Sequence, residues 1–123
     1  MTKQVLVVDD DDGVREIIQL SLETVARWKV LPAASGREGL VMAKAQKPDL
    51  ILLDVMMPGE DGIAIFQQLQ ADAETQLIPT ILLTAKAQLS ERKAFMAMGV
   101  NGVIAKPFQA RELVQQINQI LGW

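Results

Sequence analysis

The chain has 123 residues, half of them apolar, a net charge of −3, and neither cysteine nor histidine. That length suits one domain around one core, and the mildly acidic balance argues against a nucleic-acid partner held by bulk charge. Disulfides, thiolate metal sites, imidazole bases and Ser-His-Asp arrangements are excluded together, so any metal must sit among oxygen ligands, which points to a hard cation such as Mg²⁺.

The N-terminus, MTKQVLVVDD, reaches an acidic cluster too early for a signal peptide. No apolar stretch approaches the roughly 20 residues needed to span a bilayer, so a cytoplasmic protein without membrane contact is expected. QVLVV at 4–8 is predicted as the first strand, and its unbroken apolarity fits a parallel strand covered on both faces. Four carboxylates, Asp9 to Asp12, follow at once. Two like charges about 4 Å apart at an effective dielectric near 20 repel by roughly 4 kcal/mol, so the acids must either point into water or share a cation. Asp11 and Asp12 sit where a helix with the stripe Val14, Ile17, Ile18, Ser21, Leu22 and Val25 begins. Asp12 suits its N-cap or first turn, where the helix dipole favours an acid.

KVLPAA at 29–34 is a weaker strand whose Pro32 suits an edge. Ser35 is placed to cap a helix over 36–45, with Glu38 at capping-box spacing. DLILL at 49–53 is the third strand, and Asp61 can cap a helix over 62–70. PTILL at 79–83 follows, then a helix over 88–98 stopped by Gly99. GVIA at 102–105 is the last strand, and Leu113, Val114, Ile117, Ile120 and Leu121 stripe the last helix. The order predicts a doubly wound α/β sandwich, (βα)5, around a five-stranded parallel sheet of flavodoxin-like order 2-1-3-4-5. Residues 1–123 read as one unit; only Gly122 and Trp123 follow the last helix, so no output domain is expected.

Ligands of such sheets bind beyond the carboxyl ends of the strands. Asp9 and Asp10 follow the first strand, Asp54 the third, Thr84 the fourth, and Lys106 with Pro107 the fifth. Three carboxylates, a hydroxyl and an amine therefore converge on one edge. Singly, each has a plain reading: a solvated acid, a hydroxyl bonded to backbone, a surface charge. Together they suit Mg²⁺ among carboxylates, with one ionised acid as nucleophile toward an activated phosphoryl group.

VLVVDDD, LILLDVMMPGEDG, ILLTA and GVIAKPF resemble, in order and spacing, the receiver domain of two-component response regulators (CheY-like), over nearly the whole chain. The resemblance implies that Asp54 accepts a phosphoryl group from a histidine kinase or histidine phosphotransfer protein. It implies that Asp9, Asp10 and Asp54 hold Mg²⁺ with the backbone carbonyl of Met56, and that Thr84 and Lys106 engage the phosphoryl group. It also implies a cis Lys106–Pro107 bond. Met56 and Lys86 flank the site and are expected to tune phosphoryl lifetime; a thioether cannot position a water, so slow self-dephosphorylation is expected.

Two other readings compete. A haloacid dehalogenase-type Mg²⁺ phosphohydrolase needs a second acid two residues after the nucleophile, where this chain has Met56. A pseudo-receiver that only binds partners is disfavoured by the intact Asp9, Asp10, Asp54, Thr84 and Lys106. An EF-hand fails because Val8 and Gln19 fall at ligand positions, and no P-loop or GxGxxG occurs. The expected output is a change of the surface of the fourth helix, fifth strand and fifth helix, at Arg92, Met96, Val103, Ala105 and Gln115, or else relay of the phosphoryl group. Val103 stands where many receivers carry a ring that turns inward. Phe95 and Met96 read equally well as core. Asn101 and Gly102 replace acids common at dimer faces, so a monomer is expected.

Overall fold

Long apolar runs flanked by amphipathic segments force a sheet between helices, and the computed structural model, which describes residues 2–57, 59–85 and 88–123, has that form. Its elements are β1 (Gln4–Val8), α1 (Asp12–Ser21), β2 (Lys29–Ala33), α2 (Gly36–Gln46), β3 (Leu50–Asp54), α3 (Gly62–Ala71), β4 (Thr80–Thr84), α4 (Leu89–Ala97), β5 (Gly102–Ala105) and α5 (Ala110–Leu121). The main sheet is parallel, ordered β2-β1-β3-β4-β5 as predicted. Pro32 lies in the edge strand β2, where a missing ladder donor is tolerated. A two-residue antiparallel pair, Met56–Met57 with Glu60–Asp61, follows the carboxyl end of β3.

The pleat divides the core in two. Val5, Val7, Leu50, Leu52, Ile81, Leu83 and Ile104 pack against Ile18 and Leu22, and against Leu113, Val114 and Ile117 of α5. Leu6, Val8, Ile51, Leu53, Leu82 and Val103 meet Ala43, Ile65, Phe66 and Leu69 on the other face.

Helix ends follow the capping signals, with small shifts. Asp11, not Asp12, is the N-cap of α1, its side chain accepting from the Val14 N–H; Asp12 stands in the first turn. Ser35 accepts from the Glu38 N–H, but Glu38 reaches back to the N–H of Ala34 at 3.3 Å. Asp61 accepts from the Ile63 N–H, and Gly99 closes the turn after α4 with φ +104°.

The predicted stripe of α1 is buried only in part. Ile18, Ser21 and Leu22 are inside, whereas Ile17 and Val25 are exposed. After Ser21 the helix widens into a π-helical turn, Leu22–Ala26, ended by Arg27 in the left-handed region. That widening changes the angular step per residue, so Val25 leaves the stripe. Beyond it, Trp28 meets Trp123 edge to face at 5.2 Å. The Lys3 ammonium lies 4.7 Å from the centre of the Trp123 ring. Trp123 thus packs on the core, far from the acidic edge. Phe95 likewise packs on the core, while Met96 is exposed.

Gly62 opens α3 hard against the site strand. A Cβ there would lie 2.3 Å from the Asp54 carbonyl oxygen and 2.7 Å from Cα of Val55. Backbone cannot yield as a flexible side chain can. Gly62→Ala should therefore destabilise the fold by about 1–3 kcal/mol, the usual range for overpacking. Urea denaturation checks this; an unchanged midpoint would show that α3 moves away freely.

Candidate functional site

Parallel strands end at one edge, and the residue after each buried run is delivered to it. Asp9 follows β1 and is fully buried; its carboxylate accepts from the Asp11 N–H at 2.9 Å. Asp54 is the last residue of β3 and Thr84 the last of β4, both buried. Lys106 directly follows β5, its N–H donating to the Thr84 carbonyl at 2.8 Å. The Lys106–Pro107 peptide is cis.

These side chains meet. The Lys106 ammonium lies 3.0 Å from Asp9 Oδ2 and 3.2 Å from Asp54 Oδ1, bridging the two buried acids. Exposed Asp10 completes the group: one carboxylate oxygen each from Asp9, Asp10 and Asp54 lie within 4.8 Å of one another. The pocket they form, about 270 Å³, is also lined by Asp11, Val14, Met56, Thr84 and Ala85. With all three acids ionised, one ammonium leaves two negative charges, the complement of a single divalent cation. The donors are oxygens of the kind Mg²⁺ prefers, so the residues fit that ion.

Burial, and next the charge of Asp9, raises the pKa of Asp54 above the ordinary carboxyl range; Lys106 and the Met56 N–H oppose this without cancelling it. For Lys106, burial alone would lower the pKa, but bonds to Asp9 and the charges of Asp54 and Asp9 leave it raised. Both effects follow from a dry pocket shared by opposite charges.

The other predicted residues fall as follows. A groove of about 330 Å³ between α4, β5 and α5 is lined by Arg92, Met96 and Val103 together with Gln116 and Gln119. Arg92 donates to the Val103 carbonyl at 3.2 Å. Val103 is buried and Ala105 half-buried, and Gln115 is exposed on α5 outside the groove lining. Lys86 lies outside the described residues.

Two features escape sequence reasoning. Arg15 bonds the Asp9 carbonyl and pairs with Asp12; its spacing from Asp12 was the available signal. An apolar cleft of about 350 Å³, lined by Val14, Ile17, Ala85, Pro107 and Phe108, adjoins the acidic pocket at Lys106. Ile17 belongs to the predicted helical stripe; here it is 58% exposed and walls this cleft.

Residues 5–118 match the family described as the response regulator receiver domain. The phosphate regulon transcriptional regulatory protein PhoB of Pseudomonas aeruginosa is 39% identical over 119 residues, covering 97% of this chain and 52% of its own length. The alkaline phosphatase synthesis transcriptional regulatory protein PhoP of Bacillus subtilis is 36% identical over 121 residues, covering 98% of this chain and 49% of its own. The chain thus spans about half the length of these curated relatives. The chemotaxis response regulator CheY4 of Vibrio cholerae superposes with TM-score 0.90 at 28% identity, covering 98% of this chain and all of that one. The receiver domain of the sensor histidine kinase PA1611 from Pseudomonas aeruginosa, solved with a magnesium ion coordinated in its active site cleft, has TM-score 0.86 at 28% identity, both chains covered in full. No helix among the described residues is long and apolar enough to cross a membrane.

The raised pKa of Asp54 sets the sign of its effect on stability. A group whose pKa is higher in the fold than in the unfolded chain favours the fold while protonated; this contribution disappears as pH rises through the folded value, so the ionised acid costs stability at neutral pH. Asp54→Asn should raise the melting temperature by a few degrees at pH 7 in metal-free buffer, and the gap should narrow as pH falls through that raised value. Thermal denaturation of both proteins between pH 7 and 4 checks it; a less stable variant at pH 7 would mean that Lys106 outweighs burial.

Proposed function

The chain belongs to the response regulator receiver family, and from that premise we propose that Asp54 accepts a phosphoryl group from a histidine kinase or histidine phosphotransfer protein, as the trigger of a two-component signalling switch. The observation that carries this reading is the Lys106 ammonium bridging buried Asp9 and Asp54, with Asp10 alongside. A module of this kind signals through its own modification and is not a classical enzyme.

In the transfer, an ionised Asp54 oxygen attacks phosphorus while the P–N bond to the donor imidazole breaks. The electron pair stays on the ring nitrogen, which takes a proton. Lys106 serves this twice. Its charge opposes the burial that favours protonated Asp54, and it can then pair with a phosphoryl oxygen. Thr84 lines the same pocket and its hydroxyl can donate to another. Asp9, Asp10 and Asp54, with the backbone carbonyl of Met56, would hold Mg²⁺, whose charge offsets that of the phosphoryl oxygens.

Met56 is 60% exposed at the pocket and its thioether side chain cannot orient a hydrolytic water, which supports slow self-dephosphorylation. The output reading is a change at the groove of Arg92, Met96 and Val103, or relay of the phosphoryl group onward, by a cytoplasmic monomer. The phosphohydrolase reading has no second acid to work with, since Met56 stands at its place. A pseudo-receiver would leave the bridged carboxylates without a use.

Intact mass after incubation with Mg²⁺ and acetyl phosphate tests the chemistry. One phosphoryl adduct is expected, dependent on Mg²⁺ and absent in Asp54→Ala; no adduct on a folded protein would move the weight to the pseudo-receiver. A protein donor needs more than the pocket, and the apolar cleft at Ile17 and Phe108 gives it a surface beside Asp54. Ile17→Asp should slow phosphorylation by a histidine kinase or phosphotransfer protein about tenfold, the effect of roughly 1.4 kcal/mol of lost contact, and leave acetyl phosphate labelling unchanged. Equal slowing of both would place Ile17 in the pocket's chemistry instead.

A further inference from the structure

Four acids follow β1; Asp9 and Asp10 join Asp54 in the close carboxylate cluster, and Asp11 also lines the pocket. Asp11 caps α1. Asp12 is paired with Arg15, one turn further along. The Arg15 side chain is only 17% exposed, and its other guanidinium nitrogen, Nη1, donates to the Asp9 carbonyl at 2.8 Å. One planar fork therefore ties the first acid of the loop to the last, with exposed Asp10 between them in the chain.

We propose that Arg15 is a positioning residue for divalent cation binding: by bridging the Asp9 carbonyl and the Asp12 carboxylate it fixes the path of the loop, and so holds the Asp9 and Asp10 carboxylates toward Asp54 against their mutual repulsion. This rests on the pocket being a Mg²⁺ site, as read above. A guanidinium suits the task because it presents two donors in a fixed geometry; an ammonium on a flexible stem is a point charge. Pairing Asp12 with Arg15 also draws the charge of the fourth acid toward α1.

Charge and geometry predict opposite signs. As a bare cation near a cation site, Arg15 opposes Mg²⁺, so its removal would tighten binding. As a positioner it preorganises the ligands, so its removal weakens binding. Groups that orient metal ligands contribute roughly 10–100-fold to affinity.

The deciding experiment is calorimetric titration of the metal-free protein with MgCl₂ at fixed ionic strength, for the unaltered chain, Arg15→Met, Arg15→Lys and Asp10→Asn. Arg15→Met should weaken Mg²⁺ about tenfold. Arg15→Lys keeps the charge and loses the fork, so its expected weakening of a few-fold is geometric, and it serves if the methionine variant folds poorly. Unchanged affinity in Arg15→Lys, or tighter binding in a folded Arg15→Met, overturns the proposal. Asp10→Asn separates the two levels: if it binds Mg²⁺ as the unaltered chain does, or if that chain binds none, the reading of the pocket fails and the role of Arg15 falls with it.

Discussion

The ammonium of Lys106, held between Asp9 and Asp54, is the interaction on which the site depends. Two carboxylates this buried on neighbouring strands cannot stay ionised side by side without a compensating charge. Lys106 supplies it from across β4, because β5 ends beside β4 and the lysine reaches back over Thr84. Its raised pKa gives the sign of this contribution: fully present below the ordinary lysine range, and lost as pH rises through the value in the fold. At neutral pH the bridge is therefore intact. It compensates only part of the negative charge gathered there, and that residue of charge makes the pocket receptive to a cation.

The fold brings these groups together by pleat and register. The alternation that sends Val5 and Val7, Leu50 and Leu52, and Ile104 to the face of α1 and α5 carries on by twos to Asp9, Asp54 and Lys106. The same strands that form the driest part of the core therefore end in the most charged part of the molecule. Parallel pairing places these ends level, Val8 beside Leu53 and Thr84 beside Ala105. The Met56–Met57 and Glu60–Asp61 pair follows the end of β3, and Gly62 then packs directly against the Asp54 carbonyl.

Much of this was legible in the residues, for physical reasons. Buried parallel strands must be continuously apolar, so β1 and β5 were found at their observed bounds. β3 and β4 run one residue later than the apolar runs because Asp54 and Thr84 stay in register with their neighbours; a polar residue ends an apolar run before it ends a ladder. The α1 stripe misled at Ile17 because periodicity identifies a helix face without saying whether anything covers it. Val25 misled because a π-helical turn cannot be read from a 3.6-residue period. Asp11 and Asp12 are equivalent as capping types, and their roles separated only when the chain left β1 in a definite direction. The spacing of Arg15 from Asp12 was legible, but its bond to the Asp9 carbonyl was not, because a backbone carbonyl carries no side-chain signature.

On the proposed reading, a change at the pocket reaches the surface along β5, and here Val103 matters. A valine has one stiff rotatable bond, so it cannot swing between buried and exposed positions as a ring can. Contacts at backbone groups link the same elements. Lys106 N–H is fixed to the Thr84 carbonyl, Ala105 stands in register with Thr84, and the Val103 carbonyl holds Arg92 of α4. On that reading, a shift of Thr84 toward a phosphoryl oxygen would pull on the end of β5, and the Arg92 contact lies on the path from there to α4. The groove of Arg92, Met96 and Gln119 would then change shape through α4, because the stiff, buried Val103 does not swing.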